Sequence, residues 1–285
     1  MSDIMEIVGR SVVQHGKYND RAYLMKLHNR DSRDIVRHLH ELASSNGYSK
    51  IFAKVPESAL ELFKEDGYEL EAGIPDFFPD GEAACFLGKY FSASRREERK
   101  PRLVREILDA AGKQENVSRQ ALPAAFTSRI ADENDAEGMA EVYRRVFDTY
   151  PFPIYEPDFL RSAMNNGTIF FGVWNGNEIA ALSSAETDPA SLSAEMTDFA
   201  TLPEYRGHGL ALHLLRQMEP VVKSHGIRSL FTIARAYSFG MNITFARNGY
   251  SFGGTLVNNT NISGNLESMN VWYKTLMNGR VNTAV

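Results

Sequence analysis

Apolar positions along this chain switch between the two-residue period of strands and the longer period of amphipathic helices, with Gly, Pro and Asn at the joins. The chain up to about Asp20 is polar and predicts no element. A strand over Tyr23, Leu24, Met25, Lys26 and Leu27 then leads to Asp31 or Ser32 as helix cap, with Ile35, Leu39 and Leu42 on one face and Gly47 as the C′ residue. Residues 50–55 read as a strand and 56–65 as a helix, opened by Pro56 and closed by Gly67-Tyr68. After a turn at Phe77-Phe78-Pro79-Asp80-Gly81, residues 83–91 read as a buried strand.

Residues 92–123 are expected to form a charged helical linker between an N-terminal α/β domain at 1–91 and a second domain at 124–285. Within it, Leu103, Val104, Ile107, Leu108 and Ala111 make a short amphipathic helix that Gly112 stops. Glu97, Glu98 and Glu106 interleave with the linker arginines, so the run reads as a solvated helix face rather than a phosphate or nucleic-acid site. From Phe126 the pattern gives a strand at 128–130 and a helix with Met139, Val142, Val146 and Phe147 on one face, capped among Asp132, Asn134 and Asp135. The stiff segment from Tyr150 to Tyr155 follows, then a helix at 156–164 and two strands, 169–174 and 179–187, flanking the hairpin signal Asn175-Gly176. Further on come a strand at 228–234, a helix at 239–248 with Gly249 as its C′ residue, and closing strands at 251–258 and 269–276.

The most informative stretch lies between these, at 195–211. Glu195, Thr197, Phe199 and Thr201 share one face of a strand, and Pro203 ends it. Arg206-Gly207-His208-Gly209-Leu210-Ala211 then turns into a helix marked by Leu214, Leu215, Met218, Val221 and Val222. Glycine at a helix N-terminus exposes unpaired N–H groups at the positive end of the helix dipole, which suits an anion and a diphosphate in particular.

Arg206-x-x-Gly209-x-Ala211, set between a strand and an amphipathic helix, resembles the acyl-coenzyme-A loop of the GNAT acetyltransferase superfamily. The order strand–helix–helix–hairpin–strand–helix–strand–helix–strand–strand resembles that fold as well, over residues 124–285. The fold class expected is therefore α/β, a mixed and mostly antiparallel sheet flanked by helices. The resemblance implies acetyl-CoA as co-substrate, held by Arg206, Gly207, His208, Gly209, Leu210 and Ala211, with the pantetheine arm along the backbone of Phe199, Ala200 and Thr201. It also places a candidate general base at Glu195, which shares its face with Thr197 and Phe199. Asp198 has the opposite parity and needs a bulge to join it. The sequence departs from the superfamily at the general acid, because Phe245 stands where many members carry Tyr; Tyr237 or Tyr205 are the substitutes, or water serves.

An internal echo links the two halves. Phe63-x-x-x-Gly67-Tyr68 follows one strand–helix unit and Phe245-x-x-x-Gly249-Tyr250 another. Either the N-terminal third is a degenerate half of the same fold without the phosphate loop, or two strand–helix–strand units look alike by chance.

Composition narrows the class further. The 285 residues carry a net charge of −5, which offers no general attraction to nucleic acid or anionic membranes. The single cysteine, Cys85, excludes an intramolecular disulfide and fits a reducing cytoplasm, and no run of apolar residues is long enough to span a bilayer. No His, Cys or carboxylate set has metal-ligand spacing, so no metal is expected.

A closer resemblance covers nearly the whole chain. Ile51-Phe52-Ala53-Lys54-Val55-Pro56, Ile74-Pro75-x-Phe77-Phe78, Lys89-Tyr90-Phe91, Tyr150-Pro151-Phe152-Pro153 and Asn258-Asn259-Thr260-Asn261-Ile262 are similar to the beta-lysine N6-acetyltransferase family. This likeness implies transfer of acetyl to the terminal amine of beta-lysine, giving a compatible solute. Tyr150, Phe152 and Tyr155 are the expected walls of the acceptor slot, and Asn258 and Asn259 its uncharged hydrogen-bonding groups. Another diamine, an amino acid or a protein amine as acceptor remains open, as do a coenzyme-A-binding sensor without turnover and a homodimer.

Overall fold

The computed structural model describes residues 3–115 and 121–276. The expected linker therefore lies partly outside the described residues, at 116–120, as does the end of the second domain at 277–285. In chain order the first half contains β1 (Ile4–Val8), β2 (Ser11–Gly16), β3 (Arg21–Lys26), α1 (Ser32–Asn46), β4 (Lys50–Pro56), α2 (Leu60–Glu65), β5 (Glu69–Ile74) and β6 (Ala84–Tyr90). Two helices follow, α3 (Ala93–Arg96) and α4 (Pro101–Gly112). The second half contains β7 (Phe126–Ile130), α5 (Ala136–Val146), α6 (Pro157–Asn165), β8 (Thr168–Asn175), β9 (Glu178–Asp188), β10 (Ser193–Thr201) and α7 (Leu210–Ser224). It closes with β11 (Ser229–Arg235), α8 (Phe239–Arg247), β12 (Ser251–Ile262) and β13 (Asn265–Thr275).

Among the described residues thirteen strands join one sheet in the order β1-β2-β3-β4-β6-β5-β12-β13-β11-β10-β9-β8-β7. Among the described strands only β3–β4 and β10–β11 pair in parallel, and in each case a helix, α1 or α7, makes the crossover. Strands β1–β6 repeat the order of β8–β13, without counterparts of β7, α5 and α6, and the two sets adjoin at β5 and β12, where Ala72 pairs with Gly254. A Cβ on Gly254 would collide with the Glu71 carbonyl and with Ala72, so the close approach of the halves requires glycine here.

The echoed sequence units share geometry in detail. The Tyr68 N–H donates to the Phe63 carbonyl at 3.2 Å, and the Tyr250 N–H to the Phe245 carbonyl at 3.1 Å. The paired rings stand edge to face with centroids 5.0 Å apart in both units. The crossover loops differ. At α1, Asp31 lies against the turn and accepts from the Arg10 N–H and the Ser11 hydroxyl, so a carboxylate occupies the place where the second half has its glycine turn.

Packing follows strand parity. Ala194 and Met196 of β10 bury against Leu214, Leu215 and Met218 of α7, while α5 and α6 cover the other face through Met139, Val142 and Leu160. In the first half Ile35, Leu39 and Phe63 cover Ile51, Val55 and Leu87. The opposite face of that half, with Tyr23, Phe52, Phe77 and Phe86, joins Phe231, Leu256, Met269 and Val271 in one core. The sheet curls so far that β3 comes opposite β9, and Lys26 Nζ lies 3.1 Å from Asp188 Oδ1 across the trough.

Three expectations need correction. The first twenty residues are not featureless: they hold β1 and β2, whose inward positions include Ser11, Gln14 and His15, so apolar periodicity cannot reveal them. The closing strand expected at 251–258 runs on to Ile262 as β12, with a register shift between Leu256 and Thr260. A strand, β5, also fills the stretch after Gly67-Tyr68, as the echo alone implied.

Candidate active site

A cavity of about 1050 Å³ runs under the curled sheet from the Arg206–Ala211 loop to the wall built by Arg21, Tyr23 and Phe52. The loop end is shaped by backbone conformation. Gly207 and Gly209 adopt φ of 85° and 71°, and Gly209 caps α7 without any side chain bonding the first N–H groups. No acidic residue stands in that first turn, so these donors and the positive end of the helix are available to an anion. Arg206 Nε donates to the Thr201 carbonyl at 3.3 Å, which fixes the guanidinium at the rim. His208 packs edge-on against Phe126 and makes a 3.2 Å contact through Nδ1 with the Tyr205 carbonyl.

The strand leading to this loop separates from its neighbour. β10 and β11 pair only over Ser193–Glu195, and beyond that point β10 is bonded on its β9 side alone. The backbone edge of Phe199 to Thr201 thus faces the cavity, as an extended pantetheine arm requires. Phe199 and Thr201 line the cavity, whereas the Ala200 side chain is buried on the far side with Leu202 and can contribute only through its backbone. The uncapped helix, the two left-handed glycines and the open strand edge match the diphosphate and arm of coenzyme A.

Three carboxylates sit in the middle of the cavity. Glu195 of β10 lies directly opposite Glu186 of β9, and Thr197 opposite Ser184. Asp198 has φ of 52°, and the register breaks between Thr197 and Ala200. This bulge turns Asp198 onto the Glu195 face, against strict alternation. Asp198 accepts from the Tyr150 phenol at 2.5 Å and from the Ser184 hydroxyl at 2.6 Å.

Their proton affinities differ because their surroundings do. Burial pushes Glu195 up to about 7, against the pull of Lys54 and with the push of Asp198. Burial also raises Asp198, while the Ser184 and Tyr150 hydroxyls hold it back. Glu186 is open to the cavity yet deep among protein atoms, and the depth governs its proton. Burial raises it well above the usual carboxylate range, and Glu195 and Asp198 raise it further. Tyr150, lifted by its own burial and by Asp198, stays a neutral donor. Glu195 is therefore the carboxylate poised to exchange a proton near neutrality, while Asp198 is tied by two donors.

Not every expected residue comes to this place. Tyr150 and Phe152 line the cavity, but Tyr155 turns away and donates to the Phe147 carbonyl at 3.1 Å. Asn259 lines it; Asn258, in the β12 bulge, instead donates to the Arg95 and Glu97 carbonyls and so ties down the α3 segment. Tyr237 is absent from the cavity wall and donates to Glu98 at 2.6 Å, so it does not stand beside the carboxylates. Tyr205 reaches the loop end of the cavity, with its phenol donating to Glu178 at 2.6 Å. Phe245 is fully buried between Phe199 and Tyr250. Sequence reasoning missed Glu186 and Arg21. Neither carries a local signal, because each reaches the site only through strand register and the curl of the sheet. Among the described residues no group of three His, Cys, Asp or Glu side chains is placed to hold a metal.

The comparisons with known proteins agree with this geometry. Residues 136–250 match the Acetyltransferase (GNAT) family, and with the fold and loop above this defines an acetyl-CoA-dependent N-acetyltransferase. A beta-lysine N(6)-acetyltransferase of Methanococcus maripaludis is 39% identical over 96% of this chain and 99% of its own. The enzyme of the same name from Methanosarcina mazei is 30% identical over 85% of this chain and 97% of its own. N-acetyltransferase YodP of Bacillus subtilis is 36% identical over 78% of each. The chain belongs to the beta-lysine N6-acetyltransferase family, which extends through the N-terminal half as well as the acetyltransferase core.

Proposed function

We propose that this protein transfers acetyl from acetyl-CoA to the N6 amine of beta-lysine, yielding N6-acetyl-beta-lysine for use as a compatible solute in the cytoplasm. The observation that carries the reading is a near-neutral carboxylate, Glu195, in a cavity joining the anion-binding loop to a wall supplied by the N-terminal half. The names of the relatives over the full chain supply the acceptor.

The diphosphate sits on the N–H groups of Gly207 to Ala211, with Arg206 adding charge at the rim. The pantetheine lies along β10, whose free backbone N–H groups polarise the thioester carbonyl as negative charge develops on its oxygen. The acceptor arrives as an ammonium, drawn to the three carboxylates. Glu195, directly or through one water, takes its proton, and the neutral nitrogen attacks the carbonyl carbon. The C–N bond forms, the C–S bond breaks, and coenzyme A leaves as thiolate. The nitrogen sheds its second proton as it becomes an amide, that proton passes through water to the thiolate sulfur, and Glu195 returns its own proton to solvent. The Tyr150 phenol is committed to Asp198, so water carries the proton to the thiolate.

A panel of diamines, diamino acids and lysine-bearing peptides, assayed for acceptor-dependent thiol release, tests the reading. Beta-lysine is expected to give the highest kcat/KM. Thiol release with none of them, despite acetyl-CoA binding, would favour the sensor, and preference for a peptide amine would replace the acceptor.

A further inference from the structure

The N-terminal half contributes one feature that the acetyltransferase core does not explain. Arg21, at the start of β3, lines the cavity and is only 4% exposed. Three Arg or Lys side chains are buried to this degree among the described residues, and two of them have carboxylate partners. Lys50 pairs with Glu71 at 2.9 Å and Arg95 with Asp20 at 3.4 Å. Arg21 has none within ion-pair distance among the described residues. Its Nη1 donates to the Asn259 carbonyl at 2.5 Å and to Thr260 Oγ1 at 3.3 Å, while Nε is buried without a partner.

A buried cation without a counter-ion is unfavourable, and breaking such a pair costs several kcal/mol where one exists. The guanidinium lies over the Tyr23 ring at 5.1 Å and the Phe52 ring at 5.6 Å, which softens that penalty but brings no negative charge. Burial lowers its pKa only to about 10, so it remains charged at neutrality. Its position is also distinctive. Arg21, Tyr23 and Met25 alternate on one face of β3, and the field of Glu195 is felt at Tyr23. Tyr23 thus lines the same cavity as the cation and the proposed base.

We propose that Arg21 binds the carboxylate of the amino-acid acceptor and so sets which end of the molecule faces the thioester. This rests on the acetyl-transfer reading above. An acceptor with a carboxylate at one end and an amine at the other fits a cavity with a guanidinium at one wall and carboxylates at its centre. The anion supplies the missing counter-charge, Tyr23 and Phe52 flank the methylenes, and the distal ammonium reaches Glu195. A simple diamine has nothing to offer Arg21. The N-terminal half thus acts as the specificity wall of the core's active site.

The test crosses two substrates with two proteins: beta-lysine and its neutral carboxamide, with wild type and Arg21→Gln. Wild type is expected to favour beta-lysine by about 10- to 100-fold in kcat/KM, mostly through KM, the range for charge-assisted hydrogen bonds. Arg21→Gln should lose this preference, with beta-lysine and the carboxamide used equally, and should bind acetyl-CoA as wild type does. Equal use of both acceptors by wild type overturns the assignment, and needs no folded variant to do so. A retained preference in Arg21→Gln overturns it too. Failure of wild type to acetylate either compound removes the beta-lysine reading itself, and the role of Arg21 with it.

Discussion

Replacing Glu195 with Gln keeps the size and hydrogen-bonding capacity of the side chain and removes only its basicity. Burial holds the native carboxyl near 7, whereas an acceptor amine titrates near 10.4, so at pH 7 only about one amine in a few thousand is neutral without help. A positioned base supplies a factor of about 10²–10⁴ in such a step, and kcat of Glu195→Gln should fall by that amount at pH 7. The sign of the pH dependence follows from the raised pKa. The base form is scarce below about 7 and full above it, so the wild-type rate should fall as pH drops through that value. In the variant this limb disappears, and the rate should climb with pH until the amine is neutral on its own. Stopped assays of thiol release between pH 5.5 and about 9.5, with acetyl-CoA affinity measured alongside, would resolve both limbs. Full activity of Glu195→Gln at pH 7, together with an inactive Asp198→Asn, would move the base to Asp198.

Other outcomes follow from the same geometry. Asp198→Asn removes a negative neighbour that raises Glu195, so the acidic limb should shift to lower pH, with a smaller loss of kcat than in Glu195→Gln; an unmoved limb would contradict the coupling. Because the folded-state pKa of Glu195 is raised, its stabilising proton is fully held below about 4.5 and lost as pH rises through about 7, so Glu195→Gln should raise Tm above pH 7 and leave it unchanged near pH 4.5. Gly209→Val forces a branched residue to φ of 71° and puts a side chain where the diphosphate binds; calorimetry should show weakened acetyl-CoA binding with an intact circular dichroism spectrum, and unchanged affinity would refute the loop assignment. Asp31 fills the first-half counterpart of the glycine turn, so saturation should occur at one acetyl-CoA per chain, and two equivalents would contradict this.

The sequence made the coenzyme end of the site legible because it is local. A strand, a glycine turn and an amphipathic helix lie consecutively from Glu195 to Val222, and Asn175-Gly176 marks the hairpin beside them. The acceptor end was much less legible, since it is assembled from distant strands. Glu186 meets Glu195 only through the register of β9 and β10, and Arg21 only through the curl that carries β3 across the trough. Asp198 was conditional on a bulge, which period-two parity cannot foresee. The run from Asn258 to Asn261 reads as uncharged hydrogen-bonding groups for an acceptor, yet in the bulged end of β12 the Asn258 and Asn261 amides hold α3 and the β2–β3 loop. Tyr237 was assigned by residue type, and its phenol is taken by Glu98 from the linker. Phe63–Tyr68 and Phe245–Tyr250 sit at matching places in the strand orders on either side of the β5–β12 junction.

The central claim is that this cavity delivers acetyl to the terminal nitrogen of beta-lysine. Wild-type protein incubated with acetyl-CoA and beta-lysine should give one monoacetylated product. Fragmentation in the mass spectrometer should place the group on N6, with the amine nearer the carboxylate left free. Acetyl on that nearer amine, or no product while acetyl-CoA binds, would contradict the account.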